Sequence, residues 1–216
     1  QGMLFVVKEN EDRARSDPEF KVPLAIRANQ GDCVDLILVN ELEETGELAE
    51  LSKTNIHQHF FSFDVQASDG VISGAAFEQS PRPIYDQGMS FPIMRDVAQG
   101  ETRVRISDTS SFHPGTVVAI GIDQSTDIFE TAVIDTIDSS SNILNLREPL
   151  KHAHNKNERV SVEFVRYRWF AERQTGASYF HDHVDALKRW GHGLFGAIIA
   201  EPRGSTYHHP LSGEET

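Results

Sequence analysis

Alternating apolar and polar positions recur along the chain and predict strands. Residues 33–40 place Val34, Leu36 and Leu38 on one face, the period-two pattern of a half-buried strand. Residues 56–65 alternate in the same way. Further strands are predicted at residues 23–29, 165–170 and 193–200, the last fully buried, and one helical turn at residues 184–190. The pattern therefore predicts an all-β protein.

The composition changes between about residues 101 and 163. Glycine, aspartate, serine and asparagine turns there separate short β-like stretches at residues 102–106, 117–122, 129–137, 143–146 and 160–164. Several short strands at regular spacing favour a small β-barrel or sandwich. We therefore expect a discontinuous unit of residues 1–100 and 164–204, an inserted β module of residues 101–163, and a polar tail of residues 205–216.

Two His-x-His pairs stand in predicted strands, His57 with His59 and His181 with His183. Residues two apart on a strand point to the same face, so each pair presents two imidazoles side by side. Aromatic residues flank both pairs, and a partly dry pocket favours the neutral imidazole that binds metals. Four converging imidazoles, with no thiolate ligand beside them, predict a site for copper, zinc, iron or nickel.

The remaining histidines have weaker contexts. His152 and His154 form a third pair, but lysine and asparagine flank it, so we expect a solvated turn. His113, His208 and His209 lie in turn-like or polar segments. His192 is close in sequence to the second pair and is a candidate to contact those ligands without binding the metal itself. Candidates to orient the imidazoles or hold water are Asp64, Asp69, Asp182 and Asp185.

Charge and cysteine content narrow the classes of partner. The chain has 216 residues and a net charge of −13, which argues against nucleic acid and anionic membrane surfaces. No apolar run is long enough to span a membrane, and no signal-peptide pattern is present in this sequence. Cys33 is the single cysteine, so no intrachain disulfide is possible and cysteine usage leaves the compartment open.

Two ordered signatures resemble the first, N-terminal cupredoxin domain of a multicopper oxidase. The first comprises residues 23–32 and the strand after them, Thr54-Asn55-Ile56-His57-Gln58-His59, and Asp69-Gly70-Val71. The second comprises residues 176–183 and 193–202, and the match covers roughly residues 20–100 and 164–203. Phe180-His181-Asp182-His183 and the long insert are more similar to very large bacterial multicopper oxidases, a group that includes manganese-oxidising enzymes, than to plant and fungal laccases.

The resemblance implies a cupredoxin-like Greek-key sandwich that holds part of a copper centre. His57 would bind the type 2 copper, and His59, His181 and His183 the type 3 pair. In the family these coppers reduce O2 to water with electrons from a type 1 copper. The His-x-x-His-x-His and His-Cys-His signatures do not occur in this sequence, and Cys33 has no histidine neighbour, so we expect half of the trinuclear site and no type 1 copper.

The same resemblance implies that the chain is one domain of a longer oxidoreductase and is inactive alone. Its expected partners are O2 and further cupredoxin domains, from the same longer chain or another subunit, and the family favours a secreted or cell-envelope location. Phenols, Mn(II), Fe(II) and Cu(I) all remain open as the reducing substrate, because donor sites in the family lie near the type 1 copper.

Two other functions fit the paired imidazoles. One is a non-catalytic copper-binding or assembly module. The other is a mononuclear cupin-type metal enzyme, because cupins also begin with His-x-His on a strand. A cupin pattern requires a glutamate a few residues later and a single further histidine, whereas residues 60–67 contain no glutamate and the later histidines come as a pair.

Overall fold

Short strands make up most of the regular structure. The computed structural model describes residues 2–43, 52–71, 79–85, 90–125, 127–209 and 211–215. Its strands are β1 (Ala25–Asn29), β2 (Cys33–Val39), β3 (His57–Gln58), β4 (Ser62–Phe63), β5 (Ser90–Pro92), β6 (Arg103–Arg105), β7 (Val117–Ile120), β8 (Glu130–Asp138), β9 (Ile143–Leu146), β10 (Arg159–Ser161), β11 (Phe164–Phe170), β12 (Gly176–His181) and β13 (Phe195–Glu201).

Helices are few and short. They are α1 (Glu11–Ser16), α2 (Val65–Ser68) and α3 (Ala186–Gly191), with 3₁₀ turns at Lys8–Asn10 and Pro18–Phe20. The helical turn predicted within residues 184–190 is confirmed as α3. Within the ranges described above, no helix is both long enough and apolar enough to cross a bilayer.

Two sheets pack face to face around one core. One has the strand order β1-β13-β12-β3 and the other β2-β11-β4. The β1–β13 pair is parallel, and the other pairs in these two sheets are antiparallel. Both sheets contribute to the shared core, which includes Leu38, Tyr167, Trp169, Phe180 and Ile198. Two sheets closed over a common apolar core form a sandwich, so the predicted all-β sandwich is confirmed, and it is consistent with a cupredoxin-like fold.

A third sheet, with six strands in the order β5-β10-β7-β8-β9-β6, spans residues 90–161. It has a core of its own, which includes Ile93, Val104, Val118, Ile134 and Leu144. A small apolar cluster around Ile84 and Ala119 packs against Val39 and Phe164 and so joins this sheet to the sandwich. β5 belongs to this sheet although it precedes residue 101. The predicted division at residues 101 and 163 stays a prediction.

The strand predicted over residues 56–65 is wrong in its length. β3 ends at Gln58, Phe60 has a positive φ of 78°, and α2 begins at Val65. The Gln58 side chain closes this turn, because its amide donates to the Phe61 carbonyl at 2.9 Å and its oxygen accepts the Phe61 N–H at 3.0 Å. The break leaves β3 as a two-residue strand at the edge of its sheet, with the first histidine pair on it and just after it.

Candidate metal centre

Strand pairing brings the two histidine pairs together. β3 and β12 are antiparallel neighbours, and His57 lies directly opposite His181. The His59 N–H donates to the Tyr179 carbonyl at 3.2 Å, which continues the contact beyond the paired residues. Side chains directly opposite in an antiparallel pair lie on the same face, so all four imidazoles reach one side of the sheet.

The four rings form one cluster, although more than a hundred residues separate the two pairs. The His57 ring centroid lies 5.0 Å from that of His59, 5.7 Å from His181 and 5.4 Å from His183. The His181 centroid lies 5.5 Å from His59 and 5.7 Å from His183. The structure thus places the four predicted residues together, and their role as metal ligands stays a prediction.

Backbone carbonyls fix the orientation of two of the rings. His57 Nδ1 donates to the Asp69 carbonyl at 2.6 Å, and His181 Nδ1 donates to the Asp182 carbonyl at 2.8 Å. Because a carbonyl oxygen only accepts, both Nδ1 atoms carry a proton, and in the neutral imidazole this leaves the lone pair on Nε2. This is the arrangement by which proteins orient histidine ligands toward a metal ion.

A close approach of backbone segments holds Asp69 beside His57. Gly70 has a φ of +68°, and a Cβ there would lie 1.8 Å from the Ile56 carbonyl oxygen. Only glycine fits that contact, so Gly70 lets the Asp69 carbonyl reach the ring. The Asp69 carboxylate also lies 3.4 Å from His57 Nδ1. Of the four predicted orienting aspartates, Asp69 and Asp182 therefore touch the rings, Asp182 through its carbonyl.

One pair of ring nitrogens already has the spacing of two ligands on one ion. His59 Nε2 lies 3.4 Å from His181 Nε2. Metal–nitrogen bonds of about 2.0–2.1 Å at a tetrahedral ion, the values for zinc, place two ligands about 3.3 Å apart. Among the described residues, no three His, Cys, Asp or Glu side chains converge tightly enough to hold a single ion. The donors present are imidazoles, a ligand type that suits copper, zinc, iron or nickel, and two of them have the spacing of ligands on one ion.

Burial favours the neutral form of two of the rings. His181 is 6% exposed, His57 and His59 are half-buried, and His183 is exposed. Desolvation, with a smaller effect from the neighbouring imidazoles, lowers the pKa of His59. Desolvation also lowers the pKa of His181, against the opposing hydrogen bond to the Asp182 carbonyl. Neutral imidazole is the form that binds metal ions.

Aromatic side chains cover one flank of the cluster. The Trp190 indole stacks on the His181 ring with centroids 4.7 Å apart and planes at 12°, and the Tyr179 ring lies 4.2 Å from that of His59. The sequence pattern did not identify Trp190, because α3 folds it back over β12. The sequence did contain a signal. Trp190 follows His183 by seven residues, and a loop and one helical turn of that length can bring the side chain back to the histidines.

The expectation of a solvated turn is wrong for His154, which is 1% exposed. Its Nδ1 lies 2.8 Å from Glu158 Oε2 and its Nε2 lies 3.1 Å from Glu130 Oε1. Glutamate side chains contact both ring nitrogens in place of the apolar flank that the sequence lacks, so this imidazole is buried within a hydrogen-bonded network. Exposed His192 contributes a backbone carbonyl that accepts the Met3 N–H at 2.8 Å.

Known proteins give little further information about this centre. No family model matches the chain, and no curated protein matches it. Among solved structures, the crystal structure of a multi-copper oxidase from Pseudomonas thermotolerans is similar over 87% of this chain, with 16% identity and a TM-score of 0.37. The chain spans 24% of that oxidase, and a similarity this low does not by itself assign a function.

Proposed function

We propose that this chain is a copper-binding domain of a multicopper oxidase and supplies half of the histidine ligands of a trinuclear type 2/type 3 copper site. His57 holds the type 2 copper, and His59, His181 and His183 hold the type 3 pair. Copper bound there would supply the one-electron redox chemistry by which O2 is reduced to water while a phenol or a metal ion is oxidised. Further cupredoxin domains, from the same longer chain or another subunit, supply the other ligands.

The observation that carries this proposal is the 3.4 Å separation of His59 Nε2 and His181 Nε2 within the four-ring cluster. Two neutral imidazoles at that distance match two ligands on one ion. The hydrogen bonds from Nδ1 of His57 and His181 to backbone carbonyls add the support that histidine ligands ordinarily have.

The position of the cluster supports a shared site. His183 is exposed while His181 beside it is buried, so the group of rings is covered on one side and open on the other. Phe60 next to it is 74% exposed, and Leu187 on α3 is 95% exposed. An open set of nitrogens at the surface leaves coordination positions that a second domain can fill.

Titration of the metal-free chain with Cu(II) tests the proposal. We expect binding through imidazole nitrogen, visible as nitrogen couplings in the electron paramagnetic resonance spectrum. His59→Ala and His181→Ala should each weaken binding and remove nitrogen couplings. The matched control is His113→Ala, because His113 is exposed in the loop between β6 and β7, outside the sandwich. Equal Cu(II) affinity in all four proteins would overturn the proposal.

Assays of O2 consumption and copper stoichiometry test whether the chain holds only part of a site and separate it from a cupin-type centre. The isolated chain should consume no O2 with phenolic or Mn(II) donors, because half of the imidazoles cannot complete three copper coordination spheres. Copper-dependent O2 consumption by this chain, abolished by His57→Ala, would show that it assembles a complete site. One stoichiometric ion bound by all four imidazoles would instead favour a mononuclear, cupin-type centre.

A further inference from the structure

Asp182 stands between the candidate ligands His181 and His183, yet its carboxylate bonds to the opposite strand segment. The residue is fully buried, at 0% exposure. Its Oδ1 accepts the Thr54 hydroxyl at 2.9 Å and the Asn55 backbone N–H at 3.1 Å. The carboxylate thus reaches across to the segment that leads into β3 and the first histidine pair.

A buried cation completes this contact. Arg189, on α3, is 5% exposed, and its guanidinium lies 3.3 Å from Asp182 Oδ1. The same guanidinium nitrogen donates to the Lys53 carbonyl. The other carboxylate oxygen, Asp182 Oδ2, accepts the Asp185 N–H at 3.1 Å. One buried ion pair therefore ties α3, the residues after β12 and the residues before β3 to each other.

Asn55 makes the return connection. Its side-chain oxygen accepts the His183 backbone N–H at 2.6 Å, and its amide donates to the Ser80 hydroxyl at 2.9 Å. The backbone of the second histidine pair is therefore held by the segment before the first pair, just as Asp182 holds that segment. These reciprocal bonds join the two backbones on the buried side of the cluster.

The strand pairing alone is too short to set the spacing of the rings. β3 and β12 share two residue pairs, Gln58 with Phe180 and His57 with His181. A ladder this short specifies register weakly. We propose that Asp182 is the positioning residue of this centre: its buried carboxylate, paired with Arg189, fixes the separation between the two histidine pairs. The inference rests on the proposed function in that it takes these imidazoles to be ligands.

The test compares the wild-type chain with Asp182→Asn. The substitution keeps the shape of the side chain but removes its charge, and it places an amide NH2 group beside the donors that the carboxylate accepts from. Nuclear Overhauser contacts between the His59 and His181 rings, measured without metal, report the spacing directly. Cu(II) titration reports the consequence. We expect the ring contact to weaken or vanish in the variant, and the dissociation constant for Cu(II) to rise about 10–100-fold, the range for loss of an outer partner of metal ligands.

The matched control is Glu130→Gln, which removes a buried carboxylate from the six-stranded sheet and should leave both readouts unchanged. A folded Asp182→Asn protein with the wild-type ring contact and Cu(II) affinity would overturn the inference. If Asp182→Asn does not fold, Thr54→Val, which deletes one hydrogen bond to the carboxylate, decides by the same readouts. Binding weakened about threefold or more supports the inference, and unchanged values overturn it.

The two readouts keep the inference separate from the proposed function. A wild-type chain that shows the His59–His181 ring contact but takes up no Cu(II) contradicts the copper site. The ring contact in Asp182→Asn still decides the positioning role in that case.

Discussion

The sandwich and the six-stranded sheet both bury histidine, but they give it different partners. In the sandwich, His59 and His181 turn Nε2 toward each other at 3.4 Å. In the six-stranded sheet, both ring nitrogens of His154 lie against the carboxylates of Glu130 and Glu158. The first arrangement brings two imidazole nitrogens to the spacing of ligands on one ion, and the second uses both ring nitrogens in contacts with carboxylates.

This difference separates a ligand from a structural residue. A buried ring with both nitrogens bonded to carboxylates contributes to stability and offers no lone pair to a metal ion. A ring whose Nδ1 donates to a carbonyl and whose Nε2 faces another imidazole gains little stability from its neighbours. Its Nε2 is, however, oriented to bind a metal ion. Three His-x-His pairs of equal spacing therefore have different surroundings, and those surroundings favour different roles.

The largest effect should come from His154→Ala. The substitution leaves Glu130 and Glu158 buried without their shared partner, and removing the partner of a buried charge costs about 3–5 kcal/mol of unfolding free energy. Urea denaturation at neutral pH measures it. His152→Ala is the control, because the His152 contact with Glu130 is through its backbone N–H, and its effect should stay within about 0.5 kcal/mol. Equal losses in the two variants would contradict this account.

In the sandwich, His59→Ala should affect metal binding far more than stability. Without metal we expect its unfolding free energy to stay within about 1 kcal/mol of the wild type, as for a half-buried surface site. Free Cu(II) at a hundred times the dissociation constant should stabilise the wild type by about 2.7 kcal/mol, and the variant should lose most of that gain. Thermal melts with and without Cu(II) measure both, and a full Cu(II) gain in the variant would refute the ligand role.

Acid should destabilise the six-stranded sheet by protonating Glu130. Burial alone raises the pKa of this carboxyl, but hydrogen bonds from the Lys151 N–H and the His154 ring outweigh burial, so the pKa falls below its ordinary value of 4.5. A lowered carboxyl pKa gives stability that is present above about pH 4.5 and is lost as the pH falls through the folded-state pKa. Unfolding free energies measured from pH 7 to pH 3 should therefore decline less steeply below pH 4.5 in Glu130→Gln than in the wild type.

Most of the strands followed from the sequence because alternation reports half-buried strands directly. β9 lies where the pattern predicts it, at residues 143–146, and the buried alternation of Val34, Leu36 and Leu38 is confirmed. The single strand predicted over residues 56–65 failed at Phe60, because the side-chain bonds of Gln58 impose a turn that apolar periodicity does not encode. β5 and α1 were missed because each is too short to show a period.

The candidate site likewise has features that the sequence predicts and features that it does not. Spacing of two on strands was enough to predict that His57, His59, His181 and His183 would converge, because strand geometry fixes which residues share a face. The burial of His154 and the contact of Asp182 with Thr54 could not be predicted, since both depend on side chains that the fold brings from distant parts of the chain.

A modest effect on stability is expected at Trp190, which is 41% exposed and whose indole stacks on the His181 ring. Such ring pairs contribute about 0.5–1.5 kcal/mol beyond the area they bury, so Trp190→Ala should lower the unfolding free energy by at least that amount and Trp190→Phe by less. His154 in the other sheet is held by carboxylates, and removing its ring there should cost more. Urea denaturation of the metal-free variants checks this order.

Tryptophan fluorescence tests whether copper binds at His181, beneath the Trp190 indole. The chain has two tryptophans, and Trp169 lies fully buried in the sandwich core. If His181 binds Cu(II), the indole stacked on it should lose most of its emission, so Trp190→Phe should remove most of the Cu(II)-dependent quenching while Trp169→Phe keeps it. His113→Ala should quench like the wild type. Quenching that survives in Trp190→Phe would place the bound copper away from His181, because an ion on that ring lies next to the indole.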